Sequence, residues 1–194
     1  MLERIFKPTS EKFAIPFIKI LTVLKVRPNT VSYIGLLVVF SGSYFFYLGN
    51  NLLGIVLIFL GSAIDGLDGP YARYNNLSSE RGAVLDSFID RIGELLIWSV
   101  IGISYTNSDI QLFTIFTILV SSNLIPYLRA KSESYNIVNK KGITPRPERV
   151  IFAVVFMYFQ FPFIYMYIFA IFTWLTVFQR FIFLYRNLDI WNIQ

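Results

Sequence analysis

Long runs of apolar residues alternate with short polar connections along most of this chain. A helix rises about 1.5 Å per residue and a bilayer core is roughly 30 Å thick, so runs of this kind predict membrane-spanning helices. The fold class expected is an all-α, polytopic membrane protein with six transmembrane helices. The first four predicted spans cover about residues 31–48, 52–74, 81–105 and 110–128, the fifth ends near residue 159, and the sixth ends near residue 185.

Residues 1–26 differ from these runs because lysines and arginines recur among the apolar residues. Charges this frequent do not fit the core of a signal peptide. The pattern predicts an N-terminal interfacial amphipathic helix that is kinked or broken near Pro16. Asn29 or Thr30 is the predicted N-cap of the first span. The chain 1–194 is therefore expected to be a single domain, with a juxtamembrane helix (1–26) and a six-helix membrane domain (27–188).

Composition and charge agree with a membrane protein. The 194 residues are 55% hydrophobic and have a mean hydropathy of +0.58. Under the six-span topology, all 17 lysines and arginines fall on one side, which the positive-inside rule makes cytoplasmic. We therefore expect an integral protein of the cell membrane, with both termini and the site described below facing the cytoplasm. Topology also accounts for the net charge of +5, so no nucleic-acid partner is predicted.

The chain contains no cysteine and no histidine. This excludes disulfides, zinc sites built on those residues, cysteine nucleophiles and histidine bases. Any bound metal must be held by oxygen atoms, and a carboxylate is the expected general base.

Two pairs of aspartates border long apolar runs. Asp65 and Asp68 are spaced i, i+3 near the end of the second predicted span, and Asp86 and Asp90 are spaced i, i+4 near the start of the third. Both spacings place the two side chains on one helix face, and the two spans are antiparallel neighbours. Carboxylates at membrane depth need positive partners. Oxygen ligands suit Mg²⁺, Mn²⁺ or Ca²⁺, so the pairs predict a site for two divalent ions.

Two other interpretations of these acids remain open at this point. Arg73, Arg81 and Arg91 could neutralise them in a purely structural ion-paired cluster. Intramembrane acids also form the pathway of cation transporters. Transporters often show repeats and broken helices in both halves, and we find neither pattern in this sequence.

Small residues and an arginine follow the first aspartate pair. Gly69 permits close approach of a ligand, Ala72 leaves space one turn on, and Arg73 can bind a phosphate through two hydrogen bonds. Together with a metal site, they predict a pyrophosphate pocket. Glu94 continues the face of Asp86 and Asp90 and is a further polar group on it.

A longer pattern runs through this whole stretch. The sequence D-x-x-D-G-x-x-A-R is followed, after eight residues, by G-x-x-x-D-x-x-x-D, within 26 positions. This pattern resembles the signature of the CDP-alcohol phosphatidyltransferase family, whose members transfer a phosphatidyl group from a CDP-linked lipid to an alcohol and release CMP. The fixed positions are Asp65, Asp68, Gly69, Ala72, Arg73, Gly82, Asp86 and Asp90.

The resemblance implies a role for each matched residue. Asp65, Asp68 and Asp86 would hold one metal ion, and Asp65, Asp86 and Asp90 the other, with Mg²⁺ expected and Mn²⁺ as the substitute. Asp90 would also be the catalytic base that takes the proton of the acceptor hydroxyl. A homodimer is expected. The implied contacts to the CDP-lipid are Gly69, Ala72, Arg73, Ser79, Gly82, Pro28, Asn29, Thr30 and Val31.

A cluster of basic residues after the fourth predicted span indicates which alcohol is the acceptor. Residues 127–133 and 142–149 resemble the branch of the family that makes phosphatidylinositol phosphate or its archaeal ether-lipid counterpart. That branch typically shows the patterns Y-x-K-A-R-x-E and G-I-x-E-R-x-E-R. In this chain Arg129 stands in place of the lysine and Lys131 in place of the arginine of the first pattern, and Pro145 replaces a glutamate of the second. Several cations suit an acceptor that bears a phosphate, so inositol phosphate is predicted, with glycerol phosphate or serine as alternatives. The predicted acceptor-binding residues are Arg129, Lys131, Arg146, Arg149 and Arg180.

Overall fold

A computed structural model of the protein describes the backbone of residues 14–191 and the side chains of residues 14–188. Within this range, the secondary structure consists of eight α-helices. The predicted all-α fold is confirmed for these residues, whereas residues 1–13 of the predicted N-terminal helix lie outside them. The helices are α1 (Ala14–Val23), α2 (Pro28–Tyr47), α3 (Asn51–Asp65), α4 (Asp68–Tyr74), α5 (Glu80–Tyr105), α6 (Asp109–Glu133), α7 (Arg146–Phe159) and α8 (Ile164–Trp191).

Four segments of the described chain are long and apolar enough to cross a membrane: Pro28–Tyr47, Asn51–Tyr74, Asp109–Glu133 and Ile164–Leu188. The third and fifth predicted spans, which correspond to α5 and α7, do not meet this requirement of length and apolar composition. Helix α5 carries six charged residues in its first fifteen positions. Helix α7 has 14 residues, about 21 Å of helix, which is shorter than a bilayer core. The protein is thus an integral membrane protein with four such segments, and six spans remain a prediction.

The chain divides into two compact units, residues 1–100 and 101–194. In the first unit, α2 and α3 approach each other through glycines spaced seven residues apart. A Cβ atom added at Gly61 would lie 2.7 Å from the carbonyl oxygen of Gly35, and one added at Gly42 would lie 2.7 Å from the amide nitrogen of Ile58. Small residues of this kind let helix backbones pack closely inside membranes. We call Gly35, Gly42, Gly54 and Gly61 the glycine seam.

Helix α1 packs on the start of α2 and on α4. Its residues Ala14 and Ile18, one turn apart, are buried with Val31 and Tyr71 in one apolar cluster. The Tyr71 hydroxyl lies 2.5 Å from the carbonyl oxygen of Val26, to which it donates a hydrogen bond. This bond attaches α4 to the connection between α1 and α2.

One sequence prediction is wrong in this unit. Helix α2 begins at Pro28, in the first turn where proline is favoured, so neither Asn29 nor Thr30 is its N-cap. The second predicted span is confirmed as one apolar segment long enough to cross a membrane, Asn51–Tyr74, although its helix is interrupted between Asp65 and Asp68. Pro70 has no N–H to donate to the carbonyl of Gly66 four residues earlier, which explains why one helix ends here and another begins.

In the second unit, α6 and α8 pack together through polar as well as apolar residues. Ser121 on α6 donates a buried hydrogen bond of 2.8 Å to Thr173 on α8. An apolar cluster of Ile125, Leu128, Ile137, Val177 and Leu184 lies in the same unit. Helix α6 starts at the N-cap Ser108, whose hydroxyl accepts from the amide of Gln111.

Candidate active site

Three aspartates meet in the first unit. One carboxylate oxygen from each of Asp65, Asp68 and Asp86 lies within 4.8 Å of the other two. Asp65 and Asp68 are 2% and 7% exposed, and Asp86 is half-buried. Among the described residues, this is the group of acidic side chains arranged as metal ligands.

The local fold explains how these side chains come together. Asp65 is the last residue of α3, at the end of the glycine seam, where a Cβ on Gly35 would lie 2.9 Å from the Asp65 Cβ. Asp68 is the first residue of α4, and its carboxylate accepts a hydrogen bond from the hydroxyl of Ser32 on α2. Asp86 lies in the second turn of α5. Ser32 was not predicted from the sequence, because its contact with Asp68 joins residues 36 positions apart.

The donor set fits a hard divalent cation. All three ligands are carboxylates, which Mg²⁺ and Mn²⁺ prefer, and three such groups this close repel one another unless a cation lies among them. The first predicted set of ligands (Asp65, Asp68 and Asp86) is therefore brought together. Asp90 lies one turn beyond Asp86 on α5 and is not part of this group. A second ion and the role of Asp90 remain predictions.

A cavity of about 190 Å³ adjoins the cluster, with Asp68 and Asp86 in its wall. The Arg73 guanidinium lies over Gly69, since a Cβ added there would be 3.4 Å from Nη1. Ser79 caps the start of α5 by accepting from the amide of Gly82 at 3.1 Å. The other residues that line the cavity are Pro28, Asn29, Ala72, Leu77, Ser78 and Ala83.

The structure thus brings seven of the nine predicted CDP-lipid residues onto one cavity, although their roles remain predictions. Thr30 and Val31 are the two exceptions. Thr30 is exposed and does not line the cavity, and Val31 is buried in the apolar cluster with Tyr71. The side chain of Val31 therefore stabilises the fold. The family resemblance implied a contact for the whole segment 28–31, whereas the turn of the helix directs the Val31 side chain into the apolar cluster.

Glu94 is buried two turns after Asp86 on the same helix. It accepts a hydrogen bond of 3.4 Å from the indole nitrogen of Trp98. This contact ties Glu94 to its own helix.

The predicted acceptor residues lie in the second unit. Arg149 and Arg180 are 2% and 7% exposed, and Arg146 begins α7 and is half-buried. Arg129 and Lys131 are exposed near the end of α6, where Arg129 forms an ion pair of 2.9 Å with Glu133 and Lys131 lies over the ring of Tyr135. Their binding of an acceptor remains a prediction.

Comparison with known proteins identifies the family. Residues 25–181 match the family described as CDP-alcohol phosphatidyltransferase. The chain belongs to this family. The resemblance inferred from the aspartate pattern is therefore confirmed, and a phospholipid-synthesising transferase is favoured over the cation transporter.

Two kinds of similarity extend this result. The chain is 33% identical over 163 residues to the archaetidylinositol phosphate synthase of Pyrococcus horikoshii, covering 84% of this chain and 85% of that protein. Its fold is similar to a crystal structure of Mycobacterium tuberculosis phosphatidylinositol phosphate synthase with CDP-DAG bound, at a TM-score of 0.78 and 24% identity, covering 90% of this chain and 94% of the other. The same enzyme in complex with manganese and citrate gives a TM-score of 0.77 at 24% identity, covering 89% and 88%.

Proposed function

We propose that this protein transfers a phosphatidyl or archaetidyl group from a CDP-linked lipid to inositol phosphate and releases CMP. The observation that carries the proposal is the juxtaposition of a buried three-aspartate cluster with a cavity lined by Gly69, Ala72 and Arg73. Carboxylates that hold divalent ions beside a phosphate-binding arginine suit the transfer of a phosphorus group.

In the reaction, the acceptor hydroxyl oxygen forms a bond to the lipid-side phosphorus, and the bond from that phosphorus to the CMP oxygen breaks. Asp90 takes the hydroxyl proton on its carboxylate. Arg73 donates hydrogen bonds to the pyrophosphate and orients it, while Asp65, Asp68 and Asp86 hold the metal. Two Mg²⁺ or Mn²⁺ ions, when bound, neutralise phosphate oxygens and favour attack at phosphorus.

The proposed acceptor site consists of Arg129, Lys131, Arg146, Arg149 and Arg180. Arginine binds phosphate groups through paired, charge-assisted hydrogen bonds, which suits an acceptor that already bears a phosphate. The relatives named archaetidylinositol phosphate synthase and phosphatidylinositol phosphate synthase support this choice over serine or glycerol phosphate.

The decisive experiment measures CMP release by membranes that contain the protein. Ester-linked and ether-linked CDP-lipids are each offered with inositol phosphate, inositol, glycerol phosphate or serine. We expect the highest rate with inositol phosphate and a poor rate with inositol. Membranes with the Asp86→Ala variant are the control. Turnover of serine or inositol at rates equal to that of inositol phosphate would refute the acceptor assignment.

We further propose that the chain crosses the membrane six times, with α1 lying at the membrane–water interface and both termini in the cytoplasm. The protein is proposed to be a homodimer. The chain has no cysteine, so single introduced cysteines report topology cleanly. Asn50→Cys and Asn107→Cys are expected to react with an impermeant reagent from outside intact cells. Lys140→Cys, which is also at an exposed position, is expected to react only after the cells are opened. Labelling of Lys140→Cys in intact cells would refute this topology.

A further inference from the structure

One buried hydroxyl holds the connection between α6 and α7 against α8. The Thr176 Oγ1 atom accepts hydrogen bonds from the backbone amides of Ile143 and Thr144, each at 3.1 Å, and lies 2.9 Å from the Thr144 hydroxyl. It donates its own proton to the carbonyl of Phe172 at 3.0 Å. Thr176 is 0% exposed and Thr144 is 5% exposed, so the contact between these two residues is buried.

Two neighbouring residues keep the same connection close to α8. Gly142 has φ +123°, and a Cβ atom added there would overlap the methyl group of Thr176. Asn139 is buried, and its amide nitrogen donates to the carbonyl of Arg180 and to the hydroxyl of Ser132, each at 3.0 Å. We call residues 139–144 the seated loop.

The seated loop in turn contacts two buried arginines. Arg149 Nη1 donates to the carbonyl of Thr144 at 2.7 Å, and Arg180 Nε donates to the carbonyl of Lys141 at 2.8 Å. A guanidinium is planar, so a bond to a fixed carbonyl sets the direction of its remaining donors. Arg180 Nη1 also donates to the carbonyl of Ile125 on α6 at 2.7 Å. A shift of the loop backbone would therefore remove one of the hydrogen bonds that orient each guanidinium group.

We infer that Thr176 is a positioning residue for the acceptor phosphate. It fixes residues 141–144, and these carbonyls hold Arg149 and Arg180 in the orientation that binds the phosphate. This inference rests on the proposed function, which assigns both arginines to the acceptor. It predicts that Thr176 affects acceptor binding selectively, while Arg73 and the aspartate cluster continue to serve the CDP-lipid.

The test compares two threonines on α8 that are equally buried and three residues apart. Thr176→Val keeps the shape but removes the hydroxyl that holds the loop, and we expect the KM for inositol phosphate to rise about tenfold, with the KM for CDP-lipid nearly unchanged. Thr173→Val removes the hydroxyl that bonds Ser121 and does not contact the loop, so it should leave the acceptor KM at the parent value. Thr176→Ser retains the hydroxyl and should restore the parent KM.

A second variant reaches the same loop without removing a polar group. Gly142→Ala is expected to push the loop away from Thr176 and to raise the acceptor KM in the same selective way. Thr176→Val and Gly142→Ala both act on the contact between Thr176 and the seated loop. In the double variant, the acceptor KM should therefore rise by about as much as it does in the more affected single variant. Full additivity, or an unchanged acceptor KM in Thr176→Val, would overturn the inference. So would equal losses in acceptor KM, CDP-lipid KM and kcat, because these would indicate a general loss of folding.

One more variant separates this inference from the proposed function. Arg149→Lys keeps the charge but loses the planar fork, so it should raise the acceptor KM if Arg149 binds phosphate. An unchanged acceptor KM in Arg149→Lys would refute the acceptor site itself. A raised KM in Arg149→Lys with a parent-like KM in Thr176→Val would refute only the role of Thr176.

Discussion

The two units hold their polar groups in place by different means. In the first, α2 and α3 touch through their backbones along the glycine seam, and the aspartates lie at its end. In the second, buried hydroxyl and amide groups on α6, α8 and the seated loop bond to one another and to backbone atoms. Both solutions suit a membrane, where close packing of small residues and hydrogen bonds between helices stabilise association. The contacts of the first join residues 8 to 30 positions apart, whereas those of the second join residues 32 to 52 positions apart.

The largest expected effect comes from removing a ligand of the aspartate cluster. Asp86→Ala should reduce CMP release by roughly 10²–10³-fold or more, because the charge that binds the cation is lost. Asp109→Asn, at an exposed acidic residue in the first turn of α6, is the matched control and should keep near-parent activity. Excess chelator should abolish activity, and added Mg²⁺ or Mn²⁺ should restore it. Full activity in chelator would contradict the metal site.

The glycine seam is expected to tolerate no side chain. An alanine normally favours a helix over glycine by about 1 kcal/mol. At Gly61 the added Cβ would lie 2.7 Å from backbone atoms of α2, so overpacking of about 1–3 kcal/mol should outweigh this gain. Gly66→Ala is the control, since its nearest atoms are 3.6 Å away. Thermal unfolding in detergent measures both variants, and an equal or higher Tm for Gly61→Ala would show that the helices are less closely packed than described.

Ser32 makes a polar contact inside the first unit, where helices pack mainly through their backbones. Ser32→Ala removes the hydrogen bond that orients the Asp68 carboxylate and should weaken Mn²⁺ affinity by roughly 10–100-fold. Titration of the purified protein followed by electron paramagnetic resonance measures this directly, without turnover. Ser41→Ala, on the same helix but bonded only to the carbonyl of Leu37 among the described contacts, serves as control. Equal Mn²⁺ affinity in the Ser32→Ala and parent proteins would remove Ser32 from the site.

The smallest effect is expected at the exposed end of α6. Arg129 and Glu133 form an ion pair with side chains that are 58% and 54% exposed. Exposed pairs of this spacing contribute about 0.3–0.5 kcal/mol, so Glu133→Gln should hardly change the unfolding free energy. If Glu133→Gln lowered the unfolding free energy by more than about 1 kcal/mol, the pair would stabilise the protein more than exposed ion pairs usually do.

The sequence predicted the site better than it predicted the helices around it. Asp65, Asp68 and Asp86, which the family resemblance implied as ligands of one ion, lie together in the structure. The second span was located correctly, but the break in its helix before Pro70 was not predicted, because the hydropathy of residues 52–74 does not show where a backbone N–H is missing. Ser32 and Thr176 were missed for a different reason: neither belongs to a charged pattern, and each acts on residues distant in sequence.

The sequence by itself determined the membrane class, the oxygen-only donor set and the family, because apolar runs, the absence of cysteine and histidine, and a fixed aspartate spacing are properties of the chain alone. Only the tertiary structure decided that Ser32 orients Asp68, that Val31 is buried in a core, and that Thr176 holds the loop contacted by two arginines. Those contacts depend on how the helices pack. Packing brings polar groups of residues 32 to 41 positions apart within hydrogen-bonding distance, and no local sequence pattern shows which of them meet.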